Sequence, residues 1–117
     1  MTTPLRIESR TEQNGTSLLS LTGEVDVANA PDVKQAAVAL SATGNTRFVV
    51  DLSGVTYMDS SGLGTLVGIL KRLKESGGKM AIAGASPQVR RLFDITGLNQ
   101  VFALCDDVPS AMKEVGG

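Results

Sequence analysis

The chain contains no histidine and a single cysteine among its 117 residues. Without histidine, Ser-His-Asp and Cys-His catalysis are excluded, because both hand the nucleophile's proton to an imidazole. The usual zinc sites go with them, since one thiol and no imidazole leave only carboxylates as ligands. Cys105 cannot form an internal disulfide. It sits in the apolar run Val101-Phe102-Ala103-Leu104-Cys105 and is followed by Asp106 and Asp107, not by the basic neighbour a reactive thiolate needs. It reads as a buried thiol packing as a small hydrophobe. Tryptophan is absent and aromatics make up 3% of the residues. Branched aliphatics and alanine must therefore fill the core, and no base-stacking surface is suggested. Neither sign of charge dominates: Lys+Arg 11 against Asp+Glu 12 leaves a net charge of -1, so neither direct nucleic-acid binding nor an anionic membrane surface is expected. No apolar run approaches the roughly 20 residues of a membrane span. Met1-Thr2-Thr3-Pro4-Leu5-Arg6 lacks the apolar core of a signal peptide. The expectation is a soluble cytoplasmic protein without metal or cofactor.

What is present is enough aliphatic residue for one core: 42% of the chain is hydrophobic, and its length fits a single domain over 1–117. Leu5-Arg6-Ile7-Glu8-Ser9 alternates as a half-buried strand does. The turn signal Gln13-Asn14-Gly15 joins it to a second strand, Ser17 to Thr22, as a hairpin. Gly23-Glu24-Val25-Asp26 closes that strand and begins a loop. Asn29-Ala30-Pro31-Asp32 starts a helix, with Pro31 in the first turn where its missing N–H costs nothing, and Val33, Ala36, Ala37 and Leu40 form its apolar stripe. Arg47-Phe48-Val49-Val50-Asp51-Leu52 is a near-continuous β-branched run, the best candidate for a central parallel strand buried on both faces. Ser53 to Met58 reads as a loop. Leu63, Leu66, Val67, Leu70 and Leu73 then repeat at helical spacing, with Lys71, Arg72 and Lys74 on a solvated face. Gly77-Gly78 ends that helix, and Lys79 to Ala83 is another buried strand. Ser86-Pro87 opens a third helix with a cap and a first-turn proline, Val101 to Leu104 is a last short strand, and Asp107-Val108-Pro109-Ser110 begins a final helix. The order β-β-α-β-α-β-α-β-α predicts an α/β fold: a mixed, mostly parallel sheet of four to five strands with a β-hairpin at its N-terminus, covered by about four helices. No exposed apolar stripe is evident, so a monomer is expected when the protein is free.

The most informative segment is Tyr57-Met58-Asp59-Ser60-Ser61-Gly62-Leu63-Gly64. It places two hydroxyls and a carboxylate at a helix N-terminus, where unpaired N–H groups and the helix dipole favour negative charge. A serine there can cap the helix, bind an anion or carry a phosphate. Gly62 and Gly64 each cost roughly 1 kcal/mol in a helix relative to alanine, so something must approach closely. Two candidates are a partner reaching Ser60 and the loop from Gly23 to Asp26. Asp26 is read either as a turn residue or as part of a partner-binding surface, and Asp51 as a hydrogen-bond partner of neighbouring loops.

At Met58 to Gly64 the sequence resembles the STAS domain family, specifically the bacterial anti-sigma factor antagonists. Leu21-Thr22-Gly23-Glu24-Val25-Asp26, Phe48-Val49-Val50-Asp51-Leu52-Ser53 and Ser86 to Leu98 are similar to three further segments of that family, in the same order. The resemblance spans essentially the whole chain. It implies a STAS fold and a binding module that is not an enzyme. The unphosphorylated form of such a protein binds an ATP-dependent anti-sigma factor that is also a serine kinase, and so frees a sigma factor. Phosphorylation by that kinase releases it, and a PP2C-type phosphatase resets it. The family's phosphoacceptor directly follows the aspartate, which implies Ser60 rather than Ser61, with Asp26, Asp59, Ser60, Ser61, Gly62, Leu63 and Gly64 at the partner-binding surface. The alternative is a constitutive STAS accessory subunit of a transport ATPase or a stress-signalling assembly. A phospho-aspartate receiver or nucleotide hydrolase is disfavoured, because no acidic cluster follows the first strand and no Gly-x-x-x-x-Gly-Lys-Ser/Thr loop occurs.

Overall fold

The structure is a computed structural model that describes residues 4–116. Met1 to Thr3 of the N-terminal segment and Gly117 lie outside the described residues. The strands are β1 (Arg6–Thr11), β2 (Ser17–Val25), β3 (Arg47–Met58), β4 (Lys79–Ala83) and β5 (Ala103–Cys105). The helices are α1 (Ala30–Ser41), α2 (Ser60–Glu75), α3 (Pro87–Thr96) and α4 (Val108–Gly116), with a 3-10 turn at Leu98–Gln100. The five strands form one sheet in the order β1-β2-β3-β4-β5. β1 and β2 are the antiparallel hairpin, and every later pairing is parallel, because each later strand is reached by a helical crossover.

β3 is central and buried on both faces as expected: Phe48, Val49, Val50 and Leu52 are fully inaccessible. One face carries Leu19, Leu21, Phe48, Val50, Leu52 and Ile82 against α1, α2 and α3. The other presents Leu18, Val49, Ala81 and Ala83 to Ala111 and Val115 of α4. The few aromatics work in the larger core, where Phe93 and Phe102 meet edge-to-face with centroids 5.4 Å apart.

Four strands differ in their bounds from the sequence expectation. The segment Ser53 to Met58 is not a loop but the second half of β3, paired with a β2 that runs on to Val25. Ser53-Gly54 has turn chemistry, yet here it accompanies a register shift between Ser20 and Thr22. A side chain on Gly54 would crowd Thr22 Oγ1 at 2.8 Å and the Leu21 carbonyl at 3.2 Å, so glycine suits this position. The first strand begins one residue later and ends two residues later than the alternation suggested. The last strand is Ala103–Cys105 rather than Val101 to Leu104, because buried Phe102 follows the 3-10 turn and anchors it before pairing with β4 begins.

Candidate functional site

The extension of β2 and β3 carries both chains to one end of the sheet, where Asp59 donates its N–H to Val25 O at 3.1 Å. That bond ties the start of α2 to the loop after β2. Asp59 is the N-cap of α2, with extended backbone (φ -98, ψ -177). Its Oδ1 accepts from Ser61 N at 2.9 Å and Gly62 N at 3.1 Å, and its carbonyl accepts from Leu63 N at 3.1 Å. The cap is therefore the aspartate, not a serine. Two N–H groups that a phosphate on Ser60 could have used are already taken by this carboxylate.

Ser60, the first residue of α2, is exposed. Ser61 is half-buried and its carbonyl accepts from Thr65 Oγ1 at 3.0 Å. Gly62 is buried: a methyl there would meet Val25 Cγ1 at 2.7 Å and Met58 Cγ at 2.9 Å. Of the two explanations offered for the glycines, packing on the end of β2 accounts for this one. Gly64 is the opposite case. It is exposed, and a side chain at that position would have nothing within 4 Å. No contact within the described chain requires it to be glycine. Leu63 is 4% exposed and packs into the core, so the outer surface of this turn is formed by Ser60 and Gly64, not by Leu63. Gly68, one further turn along, is also exposed with open space around it.

Asp26 builds the neighbouring loop. Its Oδ1 accepts from Ala28 N at 3.0 Å and Asn29 N at 3.2 Å, and its own N–H donates to Asn29 Oδ1 at 2.9 Å. Asn29 Nδ2 donates in turn to Glu24 O at 2.9 Å. Asn29 thus spends its side chain on the loop rather than on capping α1. The Asp26 carboxylate shapes the turn, and what the turn presents to solvent is Val27, 71% exposed. Asp51 Oδ1 accepts from Ser53 N at 3.0 Å, a bond within β3 and not to a neighbouring loop as expected. Lys71, Arg72 and Lys74 are exposed on α2, and Arg90 lies 3.7 Å from Asp106.

Sequence reasoning missed the apolar part of this surface. Tyr57 is 44% and Ile95 72% exposed, and they line a shared groove of about 200 Å³ with Gln88, Arg91 and Leu92. One signal was available: Ile95 falls off the Val89, Leu92, Phe93 stripe of α3, so an apolar residue had been placed on its wet face. The thiol expectation also needs correction. Cys105 is half-buried, not enclosed, because β5 is an edge strand. Burial foremost, then the charges of Glu114, Asp106 and Asp107, push its pKa above the ordinary thiol value.

The STAS domain family model matches residues 9–111. This chain belongs to the STAS domain family. Among its relatives is the anti-sigma-B factor antagonist of Staphylococcus epidermidis, 42% identical over 79 residues, covering 68% of this chain and 73% of that protein. Among solved structures it is similar to an anti-sigma factor antagonist from Mycobacterium paratuberculosis, with 28% identity, a TM-score of 0.89 and full coverage of both chains. The fold is shared with the Bacillus cell fate determinant SpoIIAA in its phosphorylated form, at 22% identity and a TM-score of 0.75, over 94% of this chain and 99% of that one. The STAS architecture inferred from the four segments is the one observed. No helix among the described residues is long and apolar enough to cross a membrane.

Proposed function

We propose that this STAS protein is an anti-sigma factor antagonist controlled by phosphorylation of Ser60. Its unphosphorylated form binds an ATP-binding anti-sigma factor serine kinase and frees a sigma factor. The kinase phosphorylates Ser60 and dissociates, and a PP2C-type phosphatase restores the serine. The observation that carries this is the division of labour at the start of α2. Asp59 satisfies the helix end, leaving the adjacent Ser60 exposed, one helical turn from a glycine that the chain's own packing does not require. The names of the relatives and the four matching segments point the same way.

The electrostatics suit a switch. A phosphoryl group adds about −1.5 to −2 charges at neutral pH. On Ser60 it would stand beside the Asp59 carboxylate, which already holds the Ser61 and Gly62 N–H groups. The added charge is therefore left facing the partner instead of being absorbed by the helix end. A hundredfold loss of affinity needs only about 2.8 kcal/mol, within reach of desolvating a phosphate next to a carboxylate. No rearrangement of the fold is needed.

The test uses the anti-sigma kinases of the source organism, purified and loaded with ATP. The expected result is incorporation of one phosphate into the wild-type chain, mapped to Ser60 by mass spectrometry. Ser60→Ala should bind without being modified, and Ser60→Asp should bind weakly. If Ser60→Ala takes up phosphate as readily as wild type, the assignment of Ser60 is wrong. If wild type and Ser60→Asp hold the same transport ATPase equally, the domain is a constitutive subunit.

A further inference from the structure

Among the described residues the sheet ends in two edge strands, β1 and β5. β5 is three residues long and offers little backbone. β1 is six residues long and pairs with β2 alone, so its outer side is a template on which another strand can add. Ile7 points into the core beneath α1 and α2, which sends Arg6, Glu8 and Arg10 to the opposite face. All three are exposed. Arg6 Nε lies 3.7 Å from Glu8 Oε1, and Arg10 Nε donates to Glu12 Oε1 at 2.8 Å. Along one face the strand thus reads positive, negative, positive at two-residue intervals, and Glu12, the first residue past β1, adds a half-buried negative charge beside Arg10.

Charge on an edge usually prevents pairing, because a row of one sign repels its own copy. This row sums to zero, and its order matters. Lay a second β1 antiparallel against the first with Ser9 opposite Ser9. Arg6 then faces Glu12 and Glu8 faces Arg10, in both directions by symmetry. Opposite charges directly across a strand pair stabilise it, and like charges destabilise it. Sliding the copies by two residues either way sets Arg10 against Arg10 and Glu8 against Glu12, or Glu8 against Glu8 and Arg6 against Arg10. The ladder therefore selects one register and penalises its neighbours. Ser9 and Thr11 add only small side chains to the other face.

We infer that β1 is a self-pairing edge: two copies of this chain associate antiparallel through β1, centred on Ser9, and continue the sheet from one copy into the other. The expectation of a monomer rested on apolar stripes, to which a polar ladder is invisible. α2 follows β3, which β2 separates from this edge, so the pairing uses no residue of the Ser60 surface.

Sedimentation velocity of the whole chain, from micromolar to millimolar concentration at low salt, tests this. Wild type should shift from monomer toward dimer as concentration rises, and added salt should weaken the dimer. Arg10→Glu sets two carboxylates opposite each other on two symmetry-related rungs and should weaken association about tenfold or more. Glu8→Arg combined with Arg10→Glu restores opposite signs on those rungs and should recover the dimer. Both residues are exposed, so circular dichroism should show the same fold throughout. A wild type that stays monomeric over the whole range overturns the inference. So does a dimer of equal strength in Arg10→Glu, or a folded double variant that fails to recover it.

Discussion

Val25 and Gly62 are in contact so close that a methyl on the glycine would lie 2.7 Å from Val25 Cγ1. The contact seats the first turn of α2 on the end of β2, beside the 3.1 Å hydrogen bond from Asp59 N to Val25 O. Two residues further along the same helix, Gly64 has open space where a side chain would go. The fold requires the first glycine and does not require the second.

Opposite effects of the same substitution follow. Gly62→Ala should lower stability by about 1–3 kcal/mol, the usual cost of overpacking a filled site. Gly64→Ala should raise it by up to about 1 kcal/mol, because alanine is the better helix former and nothing resists it. Urea denaturation with unchanged m-values decides both. A destabilised Gly64→Ala would mean that the position is constrained within the fold after all.

On the function proposed above, the stabilised Gly64→Ala variant should nevertheless bind its kinase partner less well, by roughly tenfold if a packed interface meets the added methyl. Calorimetric titration against the kinase reads this directly. Undiminished affinity would remove Gly64 from the contact surface while leaving the role of Ser60 intact.

Asp59 caps α2 through two backbone N–H groups. Asp59→Ala should cost about 1 kcal/mol, and Asp59→Asn much less, since asparagine caps nearly as well. Thermal unfolding of the pair separates capping from charge. Equal losses in both variants would show that the carboxylate's charge, not its hydrogen bonds, carries the effect.

A second cap titrates. Asp107 Oδ1 accepts from Ser110 N at 2.9 Å at the start of α4, and that hydrogen bond holds its carboxyl below the ordinary value of 3.8. A group whose pKa is lower in the folded state stabilises fully above its unfolded value and loses that contribution as pH falls through the folded one. Asp107→Ala should therefore be less stable than wild type at neutral pH, with the gap closing below about pH 4. A gap independent of pH would assign the loss to the side chain's packing.

The raised pKa of Cys105 predicts slow alkylation. Burial and three nearby carboxylates disfavour the thiolate, and the thiolate is the reacting species. At neutral pH the rate should fall below that of a free cysteine, with the inflection displaced to higher pH. A rate equal to that of free cysteine would show that β5 opens faster than the reagent attacks.

The order of elements and the mixed sheet were legible in the sequence because each rests on local chemistry. The β-branched run of β3 is readable without neighbours, as are Ser86-Pro87 at the start of α3, whose Oγ accepts from Val89 N at 3.3 Å, and the aliphatic repeat of α2. Ser53 to Met58 was not, since serine and glycine look like a turn until β2 runs alongside and supplies the missing partners. The site divides in the same way. The cluster of Asp59, Ser60 and Ser61 at a helix start was visible, and its likeness to a known family pointed to one serine.

By itself the sequence determined the fold class and the crowding of Asp59, Ser60 and Ser61 at a helix start, which depend on residue type, spacing and periodicity, and its four matching segments carried the resemblance to the family. Only the tertiary structure decided which of those residues face outward. It made Asp59 the cap and left Ser60 exposed. It turned Gly62 and Leu63 inward and Gly64 outward. It brought Tyr57 and Ile95 into one groove, and it left β1, with its alternating charges, at the edge of the sheet. Apart from the Asp59 cap, which closes on residues two and three further along, each of these depends on contacts between segments far apart in the chain, and no local pattern encodes them.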